Sequence, residues 1–367
     1  MRPSRVCQHA HDDGISTHRE RDVRPGEVVD DRFEVERFVA RGGGGAIYKA
    51  RDKQTGKPVA LKVIDAVSEN SRVRAALEAH ALFDLSHPAI VGYVAHGTRV
   101  KGPLYLAMEW LEGETLAAHL RTGPMSLSDT LVVVNRVAQG LAAAHARNMV
   151  HRDIKPSNIM LVDGDPAATK VLDFGIVRAN AAQHITWTGA QIGTPMYMSP
   201  EQARGESATT PAADVFALGA VLYRCLVGES PFIAARPEVS LAALAMLETA
   251  PRLLHAVPAA PAELDGLLAK MMAPNPAHRL PDGAAVVTAL ASLRLPVDVD
   301  LSDAARLETA LTNRERRTVA FVVVEAPAEP PLDTSTVDAS PEATLQSAAA
   351  AALANSATRT RTSGHPV

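Results

Sequence analysis

His151-Arg152-Asp153-Ile154-Lys155-Pro156-Ser157-Asn158, followed fifteen residues after Asn158 by Asp173-Phe174-Gly175, decides how this chain is read. The octapeptide places one carboxylate, one ammonium and one amide within six residues, and a second carboxylate returns after a short hairpin. An alcohol attacking a phosphoryl group needs that set: an oriented acceptor for its proton, a cation on the moving group, and hard oxygen donors for a divalent metal. Asp-Phe-Gly alone is also a turn sequence. Its spacing from Asn158, with a hairpin between, carries the functional reading.

Working outward, Val59-Ala60-Leu61-Lys62-Val63 is an apolar strand interrupted by one cation, and a lysine so flanked demands anionic partners. Before it lies the glycine-rich run Ala40-Arg41-Gly42-Gly43-Gly44-Gly45-Ala46-Ile47-Tyr48, and downstream stands Ser199-Pro200-Glu201. In this order the segments resemble the eukaryotic-like (Hanks-type) Ser/Thr protein kinases of bacteria, in register from about residue 32 to residue 290. The resemblance implies an α+β, two-lobed protein kinase fold: a small antiparallel β-sheet lobe with one main helix, and a larger, mostly helical lobe.

Composition agrees with one large domain and tails. The chain has 367 residues, 47% of them apolar but only 4% aromatic, so Leu, Val and Ala must fill the core. Thirty-seven Lys and Arg against 41 Asp and Glu leave a net charge of −4, which argues against nucleic acid as a partner. The two cysteines, Cys7 and Cys225, do not suggest a disulfide scaffold, and a reducing cytoplasm is expected. No apolar run reaches the roughly 18 residues of a membrane span, and the N-terminus does not read as a signal peptide. Residues 1–31 read as a polar, disordered tail; Cys7, His9, His11 and His18 there lack a second cluster to complete a metal site.

The expected domain is 32–290, divided into a small lobe with its hinge (32–111) and a large lobe (112–290). Strands are expected at 32–40, 47–51, around Lys62, at 91–96 and at 104–109, five in all, with a helix at 71–85 carrying Glu78. A long amphipathic helix at 125–148 opens with Ser126 and Asp129 as a capping box, and Asn148 can take the left-handed conformation that ends it. Residues 158–162 and 170–172 form a hairpin around Asp163-Gly164-Asp165-Pro166, and helices dominate from 214 to about 291. Residues 291–367 read as linker, one polar helix at 302–317, a strand at 318–324 and an Ala-, Pro-, Ser- and Thr-rich disordered tail.

The resemblance implies a role for each matching residue. Asp153 orients the substrate hydroxyl and accepts its proton; Lys155 contacts the γ-phosphate and favours Ser and Thr over Tyr. Asn158 and Asp173 hold Mg²⁺, or Mn²⁺ in its place. Lys62 holds the α- and β-phosphates of ATP and pairs with Glu78, although Glu69 lies near enough to leave a solvated helix carboxylate as the plainer reading of Glu78. Ala40, Gly42, Gly43, Gly44, Gly45, Ile47 and Ala60 border ATP from the small lobe, and Met108, Glu109 and Leu111 from the hinge. Ala40 departs from the family's Gly-x-Gly-x-x-Gly at its first position, while Gly42 and Gly45 match the second and third. Four consecutive glycines should make ordering the loop more costly and nucleotide binding weaker, not absent.

Asp214 matches the aspartate that anchors the catalytic-loop backbone, and Glu201 and Arg279 match a buried structural ion pair. Arg152 directly before Asp153 implies regulation, because an arginine there needs an anion. Between Gly175 and Ser199 there is no acidic residue, so phosphate on Thr186 or Thr188 is the expected source. Thr194 is implied to support Asp153 and Lys155, with three solvated threonines as the plainer alternative. Protein substrates and a transient homodimer for autophosphorylation are the expected partners. The rival reading is a pseudokinase scaffold, favoured by Ala40 alone.

Overall fold

Buried and half-buried side chains alternate along Val59–Val63, the pattern of a strand with two different faces, and that strand lies in the middle of the small-lobe sheet. In the computed structural model, residues 23–42, 45–64, 85–98, 104–174, 195–206, 209–232 and 237–294 are described. Residues 71–84 of the expected helix, with Glu78, residues Gly43, Gly44, Thr186, Thr188 and Thr194, and everything beyond 294 lie outside them.

The small lobe is a six-stranded antiparallel sheet in the order β1-β2-β3-β4-β6-β5. Its strands are β1 (Val28–Val29), β2 (Phe33–Gly42), β3 (Gly45–Asp52), β4 (Pro58–Ile64), β5 (Tyr93–Thr98) and β6 (Leu104–Glu109). The strand beyond the expected five is β1, turned back onto β2 by Asp30 and Asp31 at φ +55° and +52°, a conformation that Asp tolerates. Residues 23–31, assigned to the tail on composition, are therefore structured: Val23 and Val29 lie in the core on the outer sheet face with Phe33, Leu61 and Tyr105. On the opposite face, Ile64, Leu104 and Leu106 join the core of the large lobe.

One buried ion pair closes the β2–β3 hairpin end. Arg32 grips Asp52 in bidentate fashion, Nε to Oδ1 at 2.9 Å and Nη2 to Oδ2 at 2.8 Å, while the Gln54 N–H and Thr55 hydroxyl donate to the same carboxylate. The Arg32 hydrogen bonds hold the Asp52 carboxyl far below the usual carboxylate range, overcoming the opposing effect of burial.

In the large lobe, Ser126 caps α2 (Leu127–His145) by accepting from the Asp129 N–H, and Asn148 is left-handed at φ +58°. Helix α4 (Pro211–Val227) is apolar almost all round, as a helix buried on every side must be. The short α1 (Leu116–His119) precedes α2, and the short α3 (Pro200–Ala203) precedes α4; α5 (Pro237–Ala245), α6 (Leu253–Ala256), α7 (Ala262–Met271) and α8 (Gly283–Ala291) complete the described α-helices. Gly283 lets α8 approach α2 closely: a Cβ there would lie 2.5 Å from both the Ala138 carbonyl oxygen and the Ala142 nitrogen. The expected hairpin forms as β8 (Ile159–Val162) and β9 (Lys170–Val171), with Asp163 and Gly164 at positive φ, and β7 (Gly113–Thr115) adds a third strand. Strand β9 also bonds the small-lobe side of the chain, through Val91 N–H to Val171 O and Val171 N–H to Ala89 O.

The Asp52 pair makes stability pH-dependent with a defined sign. A carboxyl whose folded pKa is depressed stabilises above its unfolded pKa of about 3.9 and loses that contribution as pH falls through the window below it. Asp52→Asn should cost about 2 kcal/mol at pH 7, the scale of charge-assisted hydrogen bonds, and the difference should shrink as pH falls below about 4. Denaturant titrations of parent and variant at pH 7 and at low pH check this; a pH-independent difference would contradict it.

Candidate active site

The octapeptide forms a backbone loop that a single buried carboxylate holds open. Asp214, in the first turn of α4, accepts from two consecutive amides, His151 N–H to Oδ2 at 2.7 Å and Arg152 N–H to Oδ1 at 2.8 Å. Arg152 has φ +64°, which costs a non-glycine residue about 1–2 kcal/mol. It persists because both sides of the residue are pinned: its N–H by Asp214 and its carbonyl by the Gln202 side-chain amide at 3.1 Å.

His145 and His151 complete this frame. The Gly283 N–H donates to His145 Nδ1 at 3.1 Å, so the ring proton sits on Nε2 and points to Asp214 Oδ2 at 3.0 Å. The Asp153 N–H donates to His151 Nδ1 at 3.2 Å, and His151 Nε2 therefore donates to the Leu172 carbonyl at 2.8 Å. That bond ties the loop carrying Asp153 to the residue just before Asp173. The His151 ring lies 4.6 Å from that of Phe174, which is buried in the core.

Three of the expected catalytic side chains meet at one carboxylate. Lys155 Nζ lies 2.9 Å from Asp153 Oδ2, and Asn158 Nδ2 donates to the same oxygen at 3.0 Å and to the Asp153 carbonyl at 2.8 Å. Lys62, on the inner face of β4, pairs with Asp173 at 2.9 Å, bringing the small-lobe cation onto the second expected metal ligand. Asp173 itself stands at φ +48°. The hard-oxygen set fits a divalent metal: both donations of the Asn158 amide go to Asp153, which leaves its carbonyl oxygen to coordinate, and Asp173 supplies a partly exposed carboxylate.

The nucleotide side is also assembled on one sheet face. Ile47 is opposite Lys62, and Ala60 opposite Met108, so these four residues share the inner face. Ala40 is exposed in β2, paired opposite Ile47. Gly45 has φ +126°, and a Cβ there would lie 2.0 Å from the Val63 carbonyl oxygen. The third glycine is thus required by the sheet itself, a different reason from close approach to phosphate.

The hinge is clamped from both sides by contacts that spacing does not reveal. The Glu109 carboxylate accepts from the Gly92 N–H at 2.7 Å and pairs closely with Lys170 of β9. On the other side, Trp110 donates to Glu112 at 2.6 Å and lies beneath Lys49 Nζ, 4.6 Å from the ring centre, with Arg37 5.6 Å away. Leu111 follows, half-buried. The Glu201–Arg279 pair is formed, bidentate at 2.7 Å for each bond, and Arg279 also donates to three backbone carbonyls. Burial pushes the Glu201 carboxyl up, but the Arg279 hydrogen bonds and charge, together with backbone and Ser199 hydrogen bonds, bring its pKa below the usual value.

This arrangement brings together the groups expected of a phosphoryl-transfer site, and the chain resembles known proteins. The protein kinase domain family matches residues 33–289, and the chain belongs to it. It is 39% identical over 271 residues to Serine/threonine-protein kinase PknL of Mycobacterium tuberculosis, covering 72% of this chain and 66% of that protein. PknD of the same organism is 37% identical over 252 residues, covering 67% of this chain and 37% of PknD. Probable serine/threonine-protein kinase PknB of Lactococcus lactis is 30% identical over 275 residues, covering 74% and 43%. The chain therefore spans about two-thirds or less of the length of these relatives.

Three substitutions separate chemistry from architecture. Lys62→Met keeps side-chain bulk but removes the cation, and phosphoryl transfer should fall by at least ~10²-fold with Tm little changed. Gly45→Ala should lower Tm through the clash with Val63, whereas Ala40→Gly should leave Tm unaltered and change KM for ATP only a few-fold. Thermal melts and ATP titrations of the three variants read both effects; equal tolerance at positions 40 and 45 would contradict the loop assignment.

Proposed function

We propose that this chain is an active enzyme that transfers the γ-phosphate of ATP to Ser and Thr hydroxyls of proteins. Its catalytic domain runs from about residue 32 to residue 290, with the lobe boundary near residue 111. The observation that carries the proposal is the meeting of Lys155 and Asn158 on the Asp153 carboxylate while Lys62 reaches Asp173 across the lobes. Asp153 orients the acceptor hydroxyl and takes its proton as the new O–P bond forms, and the bond from phosphorus to the leaving ADP oxygen breaks. Lys155 neutralises the moving phosphoryl, and Lys62 the α- and β-phosphates. Asn158 and Asp173 would hold Mg²⁺, which when bound offsets charge on the phosphate oxygens. Glu78 is assigned as the second partner of Lys62.

The relatives named as serine/threonine kinases support hydroxyls of Ser and Thr as acceptors. The described residues contain no helix long and apolar enough to cross a membrane, and a cytoplasmic enzyme is our assignment. Regulation falls to Arg152, whose exposed side chain precedes Asp153 and suits a phosphothreonine. We assign that phosphate to Thr188 or Thr186, added between two transiently paired molecules, and to Thr194 a supporting role beside Asp153 and Lys155.

Incubation with ATP and Mg²⁺ followed by intact mass measurement tests the central reading. The parent should gain phosphate and Asp153→Asn should not. A folded parent that binds ATP and never gains mass would favour a scaffold. Replacing Thr186 and Thr188 together by Ala should cut activity on an added protein substrate ten-fold or more; full activity with both threonines unmodified would remove the regulatory assignment.

A further inference from the structure

The last turn of α4 carries a cation that the catalytic machinery does not use. Arg224 donates from Nη1 to the Tyr197 hydroxyl at 3.1 Å, and its Nε is buried without a hydrogen-bond partner. Among the described residues no carboxylate forms an ion pair with it, in contrast to Arg204 with Glu206 and Arg252 with Asp265. Glu229, five residues on, is exposed and bears on Tyr223. The guanidinium is half-buried, permanently charged and tethered at one nitrogen, so its orientation is set before anything approaches.

Its position relative to the reacting groups follows from the stretch it holds. Tyr197 and Met196 are anchored at one end, by Arg224 and by the Ser230 hydroxyl, which donates to the Met196 carbonyl at 3.2 Å. At the other end Gln202 donates to the carbonyl of Arg152, the residue before Asp153. Residues 196–202 are thus held to α4 at one end and to the catalytic loop at the other. On the kinase reading, a polypeptide presenting its hydroxyl to Asp153 would pass beside this stretch.

We propose, resting on the kinase reading above, that Arg224 is a specificity-determining residue that selects substrates with an acidic side chain close to the acceptor Ser or Thr. A carboxylate can accept from the Nη2 side of the guanidinium, away from the buried Nε, and the partly dry setting strengthens their attraction relative to an exposed pair. A lysine or arginine at the same substrate position meets an uncompensated like charge, so discrimination comes from repulsion as well as attraction.

Peptides with one Ser acceptor, carrying Asp or Lys at each neighbouring position in turn, test this with the full chain, ATP and Mg²⁺. At one position the parent should favour Asp over Lys by about ten-fold in kcat/KM, the scale of a charge-assisted hydrogen bond. Arg224→Gln should bring that ratio near unity, and Arg224→Glu should invert it. Because each ratio is taken within one variant, a general loss of activity cancels. A parent with no acidic preference, or the same preference in Arg224→Glu, overturns the proposal. So does a parent that phosphorylates none of the peptides; ATP-dependent mass gain on the kinase itself then tells whether the kinase reading falls as well.

Discussion

The buried Asp214 carboxylate, accepting from the amides of His151 and Arg152, is the constraint on which the rest of the site depends. Two successive amides converge on one side chain only if the backbone between them turns, and the turn puts Arg152 in the left-handed region. Without that carboxylate the turn has no compensation for its strain and two buried donors are left without an acceptor. Asp214 is itself rooted twice, in the all-buried helix α4 and through His145 to the first residue of α8. The catalytic loop thus takes its geometry from the centre of the large lobe.

From this frame the site is extended by histidine ring geometry. His151 accepts from the Asp153 N–H and donates to the Leu172 carbonyl, so the segments bearing the carboxylate assigned to the acceptor proton and the carboxylate assigned to the metal are tied by one imidazole. The two lobes then meet through charge. Lys62 reaches Asp173, Glu109 reaches Lys170, and the backbone of β9 pairs with residues 89–91. Each contact joins the small lobe to the strand or loop around Asp173, so lobe closure and the position of that carboxylate are coupled.

The glycine-rich turn illustrates how one residue type serves different ends. Gly45 is needed because β4 passes too close for any side chain, whereas Ala40 is tolerated because its position in β2 is exposed. The departure from the family pattern at residue 40 therefore falls where the architecture is least demanding. The Trp110, Lys49 and Glu112 cluster adds a second fastening for the glycine-bearing strands, outside the nucleotide contacts.

What the sequence determined by itself is local. An apolar run interrupted by one cation marked β4, helical spacing marked α2, and the linear order of Lys62, Asp153, Lys155, Asn158 and Asp173 pointed to the chemistry, because residue type and spacing are written in the chain even where the backbone geometry is not. The early start of the folded region at Val23 was not legible, since its polar neighbours mask two valines that find their partners only on the finished sheet. Nor were the roles of Gln202, Gly92 and Gly283, or the Tyr197 tether of Arg224. His145 read as one more residue of an apolar stripe, and Glu109 as hinge backbone. These are decided by contacts between residues tens of positions apart. Polarity in the sequence states that a group will need a partner, but which partner it meets is set by how helices and sheet pack, and only the tertiary structure specifies that.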